Sequence, residues 1–206
     1  MASSDGTVSQ LKSLYHAYRH TEDLDRKGVY FSPSCMQVCR PTPSYAATTR
    51  EQIVQYLRDA QQGIVPVEKP PTSVSDQVSG SETESQKNSH KSARNVYTIR
   101  VLDPSERTFA DDSIVAHAGM TSQGLHLKSD KEKWVGMRVD LWDEHGPMES
   151  LLVKVQYWWR YELVKSGEEV EGDINGHGWR QCMHDIMYLG PKDGTEGKQE
   201  GLEVLE

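Results

Sequence analysis

The chain has 206 residues, 35% of them hydrophobic and 26% charged, with a formal net charge of -8. That length suits one substantial core better than two domains. The acidic balance, with no basic stripe, argues against a nucleic-acid partner, and no run approaches the roughly 18 apolar residues of a membrane helix. Three Cys form no dense disulfide framework and the first residues carry no secretory pattern, so a cytoplasmic location is expected. Five Trp and nine Tyr against two Phe favour a core that borders a polar cavity, because indole and phenol join large apolar area to a polar tip.

Val8, Leu11, Leu14, Tyr15 and Tyr18 recur at helical spacing and predict a helix from about Val8 to His20. Thr21 is placed to cap a second short helix through Leu24, Val29, Tyr30 and Phe31, ended by Ser32-Pro33. Cys35 to Arg40 reads as a short strand before Pro41. Thr48 with Glu51, or Thr49 with Gln52, has capping-box spacing for a third helix carrying Ile53 and Leu57. Residues 64–94 are rich in Pro, Ser, Thr, Gln and Glu, too polar to offset ordering entropy, and are expected to be a disordered insertion.

The second half reads as an antiparallel meander. Strands are expected at Val96–Leu102, Ser113–Ala118, Trp134–Trp142, Leu151–Val164 and Trp179–Leu189, with Asn175-Gly176 as turn chemistry. Residues 191–206 are expected to form a flexible acidic tail. One domain over 7–63 and 95–190 follows, with the early helices covering the apolar sheet face and leaving a hollow.

The segment Leu14 to Asp25, running into Val29 to Pro41, together with Thr49 to Leu57, resembles the first three helices and first strand of the SnoaL-like, or nuclear transport factor 2-like, superfamily. The resemblance covers about three quarters of the chain. It implies an α+β cone: a curved antiparallel sheet with N-terminal helices packed on its concave face. It also implies a pocket for a small apolar or aromatic ligand, with no cofactor. The activities implied are cofactor-independent cyclases, isomerases and dehydratases, such as those of polyketide or terpenoid metabolism. A non-catalytic ligand-binding or dimeric interaction module is the alternative. In steroid isomerases of the superfamily a carboxylate base precedes the proline after the first strand. Here that place is held by Arg40, which stays protonated, so a standard steroid isomerase is disfavoured.

Three residues are candidate catalytic groups. His117 lies in an apolar stretch and has the pKa range for acid–base work. Asp185 sits where the resemblance implies a late-strand aspartate, and Arg40 is suited to an oxyanion. For each, the alternative is a solvated or paired structural residue. Tyr15, Tyr18, Tyr30, Tyr157, Trp159 and Tyr161 are candidate pocket-lining residues, with plain core packing as the alternative. No metal site is expected: His16 and His20 have ligand spacing but no evident third ligand. The opposite sheet face, with Arg138, Trp142, Trp158 and Arg160, has the Trp- and Arg-rich composition of an interface and is expected to mediate a homodimer.

Overall fold

The computed structural model describes residues 5–62, 64, 95–143, 150–196, 198 and 203–205. The expected insertion, apart from Ile64, lies outside the described residues. Helix α1 (Asp5–His20) precedes α2 (Leu24–Gly28), strand β1 (Phe31–Cys39) and α3 (Arg50–Gln61). Strand β2 (Asn95–Val101), short helix α4 (Asp112–Val115) and α5 (Ser122–Lys131) follow. Strands β3 (Val135–Asp143), β4 (Leu151–Leu163), β5 (His177–Pro191) and β6 (Glu203–Leu205) complete the chain.

The strands form one curved six-stranded sheet in the order β1-β5-β4-β3-β2-β6. All neighbours are antiparallel except β1 and β5, which run parallel. Helix α1 lays Leu11, Leu14, Tyr15 and Tyr18 onto the concave face, against Tyr97, Ile99, Met137, Val139 and Trp159. Alternation along each strand supplies that apolar row. The mixed α+β architecture with N-terminal helices on the sheet is the one expected.

Several local expectations are corrected. Asp23, not Thr21, caps α2, accepting from the Arg26 amide at 2.9 Å, while the Thr21 hydroxyl turns back to the Ala17 carbonyl at 2.8 Å. Strand β1 begins at Phe31 and runs through Pro33. It is an edge strand with a register break between Phe31 and Met36, which is where a strand tolerates proline. Residues 203–205, placed in a flexible tail by composition, pair with β2.

The main correction concerns 103–133. Ser113–Ala118 is not a strand: it is α4 followed by a 3-10 turn, Ala116–Ala118. A short apolar run does not distinguish strand from helix by periodicity; Gly119 at φ +70° closes it in a helical exit. Thr121 then caps α5, accepting from the Gly124 amide at 3.0 Å. These elements cover the second sheet face, where Phe109, Val115, Ala118 and Leu125 pack on Trp134, Trp158 and Met183. Trp158 is 3% exposed, and Arg160 is held by Glu132 and Glu162. Trp142 packs with Val96 and Leu152, and Arg138 binds Asp140 at 2.6 Å. Of the face expected to mediate a homodimer, the part around Trp158 and Arg160 is therefore covered by α4, α5 and the residues that follow them.

Candidate functional site

Cross-strand register sorts the polar residues of the sheet into two faces. Tyr157 opposes His184, while Gln156 opposes Asp185 and Trp158 opposes Met183. Partners across a strand pair share a face. Tyr157 and His184 therefore lie on the α1 side, and Asp185 lies on the side of α4 and α5.

On the α1 side, Tyr15 is bracketed by aromatic rings. Its centroid is 5.1 Å from Tyr97, 5.2 Å from Tyr157 and 5.6 Å from Tyr18. Helical spacing produces this: 11, 14, 15 and 18 fall on one stripe of α1. Tyr18 continues onto Phe31 at 5.5 Å and Tyr30 at 6.1 Å. His184 stands edge-on to Tyr157 at 4.8 Å and to Phe31 at 5.1 Å, with the Cys35 Sγ 3.8 Å from its Nε2. Trp159 is completely buried beneath them.

Burial sets the ionisation of this interior. It pushes the phenols of Tyr15, Tyr18 and Tyr157 above the ordinary tyrosine range. It draws His184 down to about 3, so the imidazole is neutral at physiological pH. The Tyr15 hydroxyl is buried and makes no well-formed hydrogen bond among the described residues, with the Tyr157 phenol as its nearest polar neighbour. A buried hydroxyl without a well-formed bond carries a desolvation cost.

Arg19 follows Tyr15 by one turn and is half-buried. Its neighbours are the phenols of Tyr15, Tyr18, Tyr157 and Tyr97. Burial works against its charge and the phenol oxygens work for it, with a net rise from the ordinary value. Sequence reading missed Arg19; its place one turn beyond Tyr15 was the available signal. At the outer edge, the Tyr97 hydroxyl meets His16 Nδ1 at 2.8 Å. His16 and His20 stack at 4.0 Å. Among the described residues no group of three or more His, Cys, Asp or Glu is gathered for a metal ion.

Tyr97 opposes Leu141 on β3, and Leu141 opposes Val153 on β4. This row ends at a hollow of about 280 Å³ lined by Leu141, Trp142, Asp143, Ser150, Leu151 and Val153. A second groove of about 210 Å³ runs between α1, Tyr30 and Glu171-Gly172.

The expected residues divide accordingly. Tyr15, Tyr18, Tyr157 and Trp159 come together under α1, and Tyr30 stands at the margin. Tyr161 does not join them: it is 48% exposed, stacked on His177 at 6.0 Å beyond the helical cover. His117 is exposed on its 3-10 turn. Arg40 grips Asp185 on the opposite face. These three candidate catalytic groups therefore do not converge with the tyrosines.

A family model described as a SnoaL-like domain covers residues 1–206. No curated protein and no solved structure matches.

Proposed function

Because the chain belongs to the SnoaL-like domain family, we propose that it binds a flat, largely apolar small molecule between α1 and the concave sheet face. The ligand's carbonyl oxygen accepts hydrogen bonds from the phenols around Tyr15. The observation that carries this reading is the buried Tyr15 hydroxyl, which makes no well-formed hydrogen bond and is set among the rings of Tyr18, Tyr97 and Tyr157. Protonated phenols gathered this closely are hydrogen-bond donors, groups of the kind that polarise a carbonyl or stabilise a developing enolate.

As an enzyme, such a protein is a cofactor-independent isomerase, cyclase or dehydratase. Tyr15, Tyr18 and Tyr157 are the electrophilic groups, and the His16–Tyr97 pair is the proton-exchanging group nearest solvent. A second reading, a non-catalytic binding protein, is favoured by His184: an imidazole held neutral down to about pH 3 is too weak a base to abstract a carbon-bound proton.

A direct test titrates the protein with 2-acetylnaphthalene, following quenching of tryptophan fluorescence. The expected result is saturable binding that Tyr15→Phe and Tyr157→Phe each weaken by roughly fivefold or more, as for a lost buried hydrogen bond. Saturable binding unaltered in both variants contradicts the assignment, as does no binding at all.

A further inference from the structure

His16 and His20 lie one turn apart at the C-terminal end of α1, and both are exposed. Their ring centres are 4.0 Å apart and their planes are inclined by 39°. Residues four apart share one helix face, so the pairing follows from the spacing. The spacing does not say which ring nitrogens are free. The hydrogen bonds do.

The Nδ1 of His20 lies 2.9 Å from the His16 carbonyl oxygen. A carbonyl only accepts, so Nδ1 carries the proton, and in the neutral ring Nε2 keeps a bare lone pair. The Nδ1 of His16 lies 2.8 Å from the Tyr97 hydroxyl. A phenol accepts as well as donates, so His16 is able to take the same tautomer. Each ring is therefore held at Nδ1, one by a backbone carbonyl and one by a phenol. Metal-binding histidines are fixed in this way, by an outer hydrogen bond at the nitrogen that does not bind the ion.

Two imidazoles four apart on a helix are a ligand pair for divalent transition metals. Bonds of about 2.0–2.1 Å to one tetrahedral ion set two nitrogens roughly 3.3 Å apart. Exposed rings whose centres are 4.0 Å apart reach that spacing by small rotations. A third ligand from His, Cys, Asp or Glu is not gathered among the described residues, so water fills the remaining positions and the site is open.

We infer that His16 and His20 form an open, solvent-facing site for one divalent transition-metal ion, bound through the two Nε2 atoms. The site lies outside the pocket and does not depend on that reading. Its effect reaches Tyr97. An ion on His16 Nε2 keeps the ring proton on Nδ1, so the Tyr97 hydroxyl becomes the acceptor of their shared bond. The ion also occupies the nitrogen through which the His16–Tyr97 pair exchanges protons with solvent.

The test is a calorimetric titration of the full chain with Zn²⁺ at about pH 7.5, where imidazole nitrogens are free to bind. The expected result is a Zn²⁺ equivalent whose affinity falls roughly tenfold or more in His16→Gln and in His20→Gln, at least the loss that follows removal of an outer-shell partner. Circular dichroism establishes that the variants are folded. A second measurement needs no variant. Substoichiometric Cu²⁺, the stronger imidazole binder, is expected to broaden the ring-proton NMR signals of His16 and His20 before those of His117 and His177, which are exposed on other elements. Zn²⁺ affinity unchanged in either variant overturns the inference. So does equal broadening of all four histidines, or the lack of any Zn²⁺ binding to wild type.

Discussion

Arg40 holds Asp185 by two parallel hydrogen bonds, Nε to Oδ1 at 2.9 Å and Nη2 to Oδ2 at 2.8 Å. The carboxylate is completely buried and the guanidinium about one-third exposed. The pair closes the junction between β1 and β5, where the Arg40 amide also donates to the Ile186 carbonyl at 2.8 Å. It faces the helices α4 and α5, with the sheet between it and Tyr15.

This geometry makes the pair structural. Asp185→Asn leaves Arg40 without its ionic partner and is expected to destabilise the fold by about 2 kcal/mol, the scale of a charge-assisted bond discounted for the exposed arginine. Urea unfolding measures it. Binding of 2-acetylnaphthalene to the folded variant is expected to be unchanged; intact stability with lost binding would reverse the assignment.

Trp158 carries the second prediction. Its indole is covered by Phe109, with centroids 4.7 Å apart, and by Trp134 at 6.4 Å. Trp158→Ala is expected to cost about 3–5 kcal/mol as a buried cavity. The sedimentation coefficient of the folded fraction is expected to stay that of wild type. A shift in sedimentation at undiminished stability would mean that the face is an interface between chains.

Gly136 on β3 explains how Trp158 of β4 and Leu102, the residue after β2, meet above it. A Cβ there would lie 2.4 Å from Leu102 Cδ1 and 3.1 Å from Trp158 Cζ3. The Leu102 amide donates to the Gly136 carbonyl at 2.9 Å and its side chain is 1% exposed, so the leucine has little room to withdraw. Gly136→Ala is expected to destabilise by about 1–3 kcal/mol through overpacking. Adding Leu102→Ala makes space, so the double variant is expected to lose less than the sum of the two single losses.

Much of this was legible in the sequence. The stripe Leu11, Leu14, Tyr15, Tyr18 gave α1 and its buried face, and alternation gave β3 and β4 within a residue of their ends. Asn175 and Gly176, both at positive φ, form the turn before β5 that their dipeptide predicts. The second layer was not legible. Residues 112–131 carry few apolar side chains, and one run, Ile114 to Ala118, fits a strand as well as a helix. Only the caps at Thr121 and Gly119 distinguish them. Missing that layer placed His117 in a pocket wall and left Trp158 uncovered. Which sheet face Asp185 and His184 take depends on register against β4, which contains two irregularities. Strand spacing alone does not locate them.

The pH dependence of stability follows from His184. In the unfolded chain its imidazole takes up a proton near pH 6.5; in the folded protein burial delays this to about 3. The unfolded state therefore binds the extra proton first, and stability falls as pH drops below about 6.5 toward 3. At pH 5 this one group accounts for about 2 kcal/mol. The carbon-bound ring protons of His184 are expected to show no titration between pH 8 and 4.5 by NMR, and His184→Asn is expected to flatten the stability slope. A midpoint near 6 for His184 would contradict its burial.

The most direct measurement of the central claim is a set of intermolecular NOEs between bound 2-acetylnaphthalene and assigned aromatic protons. The account predicts contacts to Tyr15, Tyr97 and Tyr157, and none to Phe109 or Trp158 on the other side of the sheet. Contacts confined to Phe109 and Trp158, or to exposed Tyr161 and His177, would place the ligand elsewhere and contradict it.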